Sequence, residues 1–173
     1  GPMIIDMYLP ALPEAQHQFR SSTSEIQLTL SFAMIGLALG QFLFGPLSDA
    51  FGRKRMGLII LCIFFLATLS GVFASNLILF LCIRFIQGFT AGGIIVIAKA
   101  FAGDRYEGDL LAKFLASLMV VNGIVTIIMP LLGGLSLTLG SSRIVFIILT
   151  FISLFVLLGV ATMMPKTHKS EHK

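Results

Sequence analysis

The chain has 173 residues, of which 57% are hydrophobic and only 12% charged, with a mean hydropathy of +0.99 and a formal net charge of +4. Soluble domains carry roughly 25% charged residues, so there is too little polar surface here to cover a globule in water. The positive balance therefore matters through its placement along a membrane protein; it is not the footprint of a nucleic-acid partner.

A helix needs about 20 apolar residues to cross the hydrocarbon core. Residues 1–12, "GPMIIDMYLPAL", are apolar but shorter than that, and are expected to be the second half of a first spanning helix. They do not resemble a signal peptide, because no basic segment precedes them and Asp6 interrupts them. Segments 25–45, 56–75, 77–98, 114–137 and 143–164 each reach spanning length. Residues 1–164 are thus expected to form one transmembrane bundle of six helices, followed by a basic tail over 165–173. Cys62 and Cys82 lie inside apolar runs and suggest no disulfide or metal framework, and His17, His168 and His172 sit in polar segments and are expected to be solvated. No cofactor is expected.

Orientation follows from Lys and Arg. Arg53, Lys54 and Arg55, then Lys99, Arg105 and Lys113, then Lys166, Lys169 and Lys173 fall on one side under strict alternation of spans. Arg20 and Arg143 fall on the other, giving nine against two. Segments 46–55 and 99–113 and the tail are accordingly expected in the cytoplasm.

Arg84 is left within the span 77–98, seven residues in from Leu77, which at 1.5 Å per residue is roughly 10 Å below the outer boundary. Asp6 lies seven residues before Pro13, at a matching depth on a different helix. Intramembrane ionisable residues are costly and face a bundle interior or a wet cavity, so the two are expected to meet there, with a purely structural ion pair as the alternative. Gln87 and Gly88 follow Arg84 at i+3 and i+4 on one stripe. Gly36 and Gly40, and Gly88 and Gly92, have the four-residue spacing that permits close helix packing. In "GPLSDAFGRKR", residues 45–55, Gly45 and Pro46 are expected to end a helix and Gly52 to allow a tight reversal. Asp49 is then expected at the positive start of the next helix.

These stretches carry a resemblance. "GPLSDAFGRKR" resembles the signature between helices 2 and 3 of the major facilitator superfamily, and "RFIQGFTAGG" resembles the R-x-x-Q-G motif of its proton-driven drug exporters. "NGIVTIIMPLLGG", residues 122–134, is similar to the antiporter motif G-P-x-x-G-G, with Met129 before Pro130 where Gly or Ala is usual. "DMYLPALPEA", residues 6–15, and "GDRYEGDLLAK" after residue 102 are similar to motifs of the Bcr/CflA drug-resistance subfamily. The matches fall in order along nearly the whole chain.

The resemblance implies an all-α fold in which two inverted three-helix repeats make one half of a twelve-helix transporter, the missing carboxy-terminal six-helix half being its partner. It implies drug:proton antiport in the cytoplasmic membrane, and hence antibiotic resistance, with the proton gradient as energy source and small amphipathic drugs as substrates. Asp6, Tyr8, Arg84, Gln87, Asn122 and Thr126 would line the cavity, with Asp6 exchanging the coupling proton. Gly45, Asp49, Gly52, Arg53, Lys54 and Arg55 would form a gating loop, and Pro130, Gly133 and Gly134 the antiporter motif. Met34, Met119 and several Phe side chains could add an adaptable apolar wall, although packing or lipid contact accounts for most of them. Two other readings stand beside this one: a standalone six-helix protein that dimerises, and a membrane scaffold or remnant without transport. An enzyme is not expected, since the chain has no metal-ligand spacing, no Ser/His/Asp set, and no phosphate cradle in "GGIIVIAKAFAG".

Overall fold

A computed structural model describes residues 22–138 and 143–163, which form five helices and no strand. They are α1 (Thr23–Phe51), α2 (Arg53–Val72), α3 (Leu77–Arg105), α4 (Gly108–Thr138) and α5 (Arg143–Met163). Three stretches of the described residues are long and apolar enough to cross a membrane: Gln27–Phe51, Arg53–Val72 and Leu77–Arg105.

The helix starts are set by short-range chemistry. Ser22 caps α1 by a reciprocal pair: its Oγ accepts from the Glu25 N–H at 3.2 Å, and Glu25 Oε2 accepts from the Ser22 N–H at 2.8 Å. Asn76 caps α3, its Oδ1 accepting from the Leu79 N–H at 2.8 Å. The α3 start thus falls at Leu77, where the apolar run begins.

The first long helix departs from expectation. Gly45 and Pro46 do not end it; α1 runs through them to Phe51. Proline removes one helical N–H, but membrane helices tolerate it where nearby hydroxyls and neighbouring helices support the freed backbone. The carbonyl that loses its partner at Pro46 is that of Phe42, four residues back; the buried Ser48 hydroxyl bonds a different one, the Gly45 carbonyl, at 2.8 Å. The break comes at Gly52, whose φ of +90° suits glycine and whose N–H still bonds the Ser48 carbonyl at 3.1 Å. Asp49 therefore sits in the last turn of α1, not at the start of α2. The expected loop 99–113 is also mostly helical: α3 continues to Arg105, and α4 begins at Gly108. With 29 residues, α1 and α3 are each about 43 Å long and outreach a 30 Å hydrocarbon layer, while 20-residue α2 just matches it.

α1 and α3 form the most extensive helix pair. Their residue numbers rise together along the seam, Ala33 against Gly88 and Leu37 against Gly92, so the two run in the same direction. A Cβ added at Gly88 would overlap the Ala33 main chain, and one at Gly40 the Phe89 main chain, with carbonyl carbons at 2.7 and 2.8 Å. A Cβ at Gly36 would lie 2.9 Å from the Phe89 nitrogen, and one at Gly92 2.9 Å from the Gln41 nitrogen. Both glycine pairs thus lie on this seam, each against the main chain of the other helix.

α2 packs on another face of α3, and α5 packs on α2; Leu149 and Ser153 of α5 are buried. Near the Gly52 turn, Phe44, Met56, Ile60 and Ile97 form a buried cluster from α1, α2 and α3, with Phe44 and Phe89 tilted at 4.9 Å between centroids. α4 touches α3 and α5 only lightly. Large apolar side chains on the outer faces, such as Phe42, Phe73 and Phe155, are exposed. In lipid that carries no penalty.

Candidate functional site

α3 packs against both α1 and α2, which buries one side of it, while Cys82 and Ile86 on its other side are exposed. Its buried residues include Phe80, Ile83, Arg84, Gln87, Gly88, Thr90 and Ala91. The helical stripe expected from the sequence is present, and it has two edges. Gly88 serves α1, while Gln87 turns toward α2 and Arg84 bonds Gln87.

Arg84 and Gln87 are fully buried. Arg84 Nη1 donates to Gln87 Oε1 at 3.1 Å. Gln87 Nε2 donates in turn to Thr68 Oγ1 of α2 at 3.2 Å. Thr68, also fully buried, donates its own hydroxyl to the Phe64 carbonyl at 2.8 Å. One polar chain therefore runs from the guanidinium across the α3–α2 interface into the α2 backbone. A buried charge is tolerable only when hydrogen-bonded and compensated, and this chain supplies part of that support.

Arg84 was expected from its place in the apolar run and Gln87 from the i+3 spacing. Thr68 was not singled out. Its only sequence signal is a hydroxyl inside an apolar helix, which Ser70 shares; Ser70 also bonds its own helix, at the Leu66 carbonyl, but is exposed.

A second cluster lies where α1, α2 and α3 end together. Arg53, at the first position of α2, pairs with Asp49 through Nη2 at 3.1 Å and with Asp104 of α3 through Nη1, and it also donates to the Ala100 carbonyl. Asp49 stands in the last turn of its helix and Arg53 in the first turn of its own, each at the helix end that its charge disfavours. Their mutual pairing offsets that. Asp104 was not expected; it lies in the quoted "GDRYEGD" stretch, and helical continuation of α3 brings it to Arg53. Nearby, Tyr106 stacks on Phe114 at 5.2 Å, linking α3 to α4.

The other expected residues divide into two groups. Asp6 and Tyr8 lie outside the described residues, as does the tail 165–173. Asn122, Thr126, Pro130, Gly133 and Gly134 fall on α4, but their side chains and surroundings lie outside the described residues. Lys54 is half-buried and Arg55 exposed beside the Gly52 turn, and Gly45 has only the Val96 side chain near its Cβ direction, at 3.6 Å. Met34 and Met119 are both exposed. Among the described residues no group of three or more His, Cys, Asp or Glu is placed to hold a metal ion.

Apolar spanning helices, a glycine-sealed parallel pair and a buried arginine with an amide partner describe a polytopic membrane protein with a polar interior. Residues 2–173 match the family model of the Major Facilitator Superfamily, and the chain belongs to that family of non-enzymatic transporters. It is 36% identical over 169 residues to an uncharacterized MFS-type transporter, YdgK, of Bacillus subtilis, covering 96% of this chain and 42% of that protein. It is 28% identical over 172 residues to a bicyclomycin resistance protein homolog of Haemophilus influenzae, covering 99% of the chain and 43% of the relative. It is 33% identical over 134 residues to the multidrug resistance protein MdtL of Vibrio parahaemolyticus, covering 78% and 34% respectively. The expected likeness to Bcr/CflA-type drug-resistance proteins holds in these names. The chain spans less than half the length of each of these relatives.

Proposed function

We propose that the chain is the amino-terminal portion of a drug:proton antiporter of the cytoplasmic membrane, built as six helices in two inverted three-helix repeats. Arg84 carries this reading: it is a fully buried guanidinium within an apolar helix, held by an amide and not directed to lipid. Drug-resistance relatives support the substrate class. A carboxy-terminal six-helix partner half completes the cavity.

Asp6 exchanges the coupling proton. Arg84 stabilises the carboxylate, and drug binding shifts that balance, so that one proton enters as one drug molecule leaves. Tyr8, Gln87, Asn122 and Thr126 supply polar contacts, and the proton gradient supplies the energy. Pro130, Gly133 and Gly134 shape the antiporter segment. The cluster of Asp49, Arg53 and Asp104 acts as a latch on the cytoplasmic side, where the basic residues concentrate.

The test is drug-driven proton movement in everted vesicles carrying the full protein. Adding a lipophilic cation should dissipate a preformed pH gradient in the wild type and leave it intact in Asp6→Asn at equal membrane abundance. Unchanged dissipation in Asp6→Asn would refute the proton-coupling role. Absence of any response in the wild type to a panel of cationic drugs would refute the antiporter reading.

A further inference from the structure

We propose that Thr68 of α2 is a positioning residue that fixes the Gln87 amide and, through it, the direction in which Arg84 is held. The inference rests on the reading of Arg84 as part of the translocation site. An amide can sit in either of two orientations, with its oxygen and nitrogen exchanged. Both neighbours of Gln87 select the same one. Arg84 can only donate, so the amide oxygen must face it. Thr68 has committed its single hydroxyl proton to the Phe64 carbonyl, so toward Gln87 it can only accept, and the amide nitrogen must face it. The polarity of the chain is therefore set from the α2 backbone outward.

Several other hydroxyls bond carbonyls of their own helices: Ser70 to Leu66, Thr90 to Ile86 and Gln87, and Ser153 to Thr150. Thr68 adds to such a bond an acceptor contact from α3, with all three side chains of the chain fully buried. Because its anchor belongs to α2, a shift of α3 against α2 breaks the Thr68–Gln87 bond before it disturbs Arg84–Gln87, which lies within one helix. Thr68 thereby couples the orientation of Arg84 to the packing of two helices.

The test uses the full protein, labelled with 15N-arginine, in lipid nanodiscs, with the Arg84 side-chain signals identified by their loss in Arg84→Lys. Thr68→Val keeps the shape and deletes the acceptor. We expect proton exchange at the Arg84 guanidinium to quicken at least tenfold, the equivalent of ~1.4 kcal/mol. Thr68→Ser should restore slow exchange. In vesicles, the KM for ethidium should rise severalfold in Thr68→Val and return in Thr68→Ser, with maximal turnover less affected. If Thr68→Val does not accumulate, Thr68→Ala removes the same hydroxyl and carries the same expectation. Unchanged Arg84 exchange in the Val or Ala variant, or equal disturbance in the Ser variant, overturns the proposal. The exchange readout needs no transport, so a protein that exports nothing still tests Thr68, and an intact exporter with undisturbed exchange still refutes it.

Discussion

The first third of α3 and the common end of α1, α2 and α3 both hold an arginine, in different surroundings. Arg84 is fully buried and tied by neutral hydrogen bonds to Gln87 and, through it, Thr68. Arg53 is partly exposed and tied to two carboxylates that are themselves more than half exposed. In a low-dielectric interior each polar contact is strong, and each one left unmade is costly. At a wet helix end, ion pairs are screened and contribute little to stability. The interior site should therefore be sensitive in stability and geometry, and the end cluster sensitive mainly in function, if it acts as a latch.

The largest expected loss comes from the seam that seals the interior. Gly88→Leu forces a side chain into the Ala33 main chain, and overpacking of that kind costs about 3 kcal/mol or more. Thermal melting of the detergent-solubilised protein should show a steep loss or no folded peak; a melting point near wild type would mean that α1 and α3 are not in backbone contact. Next comes Arg84→Ala, which leaves the buried Gln87 oxygen without that donor and should cost about 1–3 kcal/mol by the same measurement. Ser22→Ala breaks the capping box at the far end of α1 and should cost about 1 kcal/mol. Smallest of all, Arg53→Ala should change stability by no more than about 1 kcal/mol, with the difference shrinking further in high salt. A loss at Arg53 as large as that at Arg84 would erase the contrast between the two sites. Loss of drug export in Arg53→Ala despite normal melting would sharpen it.

Much of this contrast was legible in the sequence. An arginine inside an apolar run has to find an interior, and a glutamine three residues on has to share its face. The glycine spacings at 36/40 and 88/92 pointed to close packing, and both pairs lie on the α1–α3 seam. Other features were hidden. Pro46 reads as a helix end when helices are judged by soluble rules, yet α1 passes through it, as membrane helices tolerate a proline within a span. That extension moved Asp49 from the start of one helix to the end of another. The continuation of α3 to Arg105 likewise put Asp104 beside Arg53, a pairing of residues about 50 positions apart that spacing cannot reveal. Thr68 was hidden for the same reason: its partner is on another helix, and locally it looks like any hydroxyl satisfied by its own turn.

The central claim is that Asp6 and Arg84 face each other in one polar interior. It is tested most directly by cross-linking in native membranes. In the full protein with Cys62 and Cys82 replaced by serine, Asp6→Cys combined with Arg84→Cys should be joined by a short bifunctional thiol reagent, producing a bridge between residues 6 and 84 on digestion. An Arg84→Cys that never joins Asp6→Cys, yet is readily labelled by a lipid-dissolved maleimide, would put that position on the outer face and contradict the account.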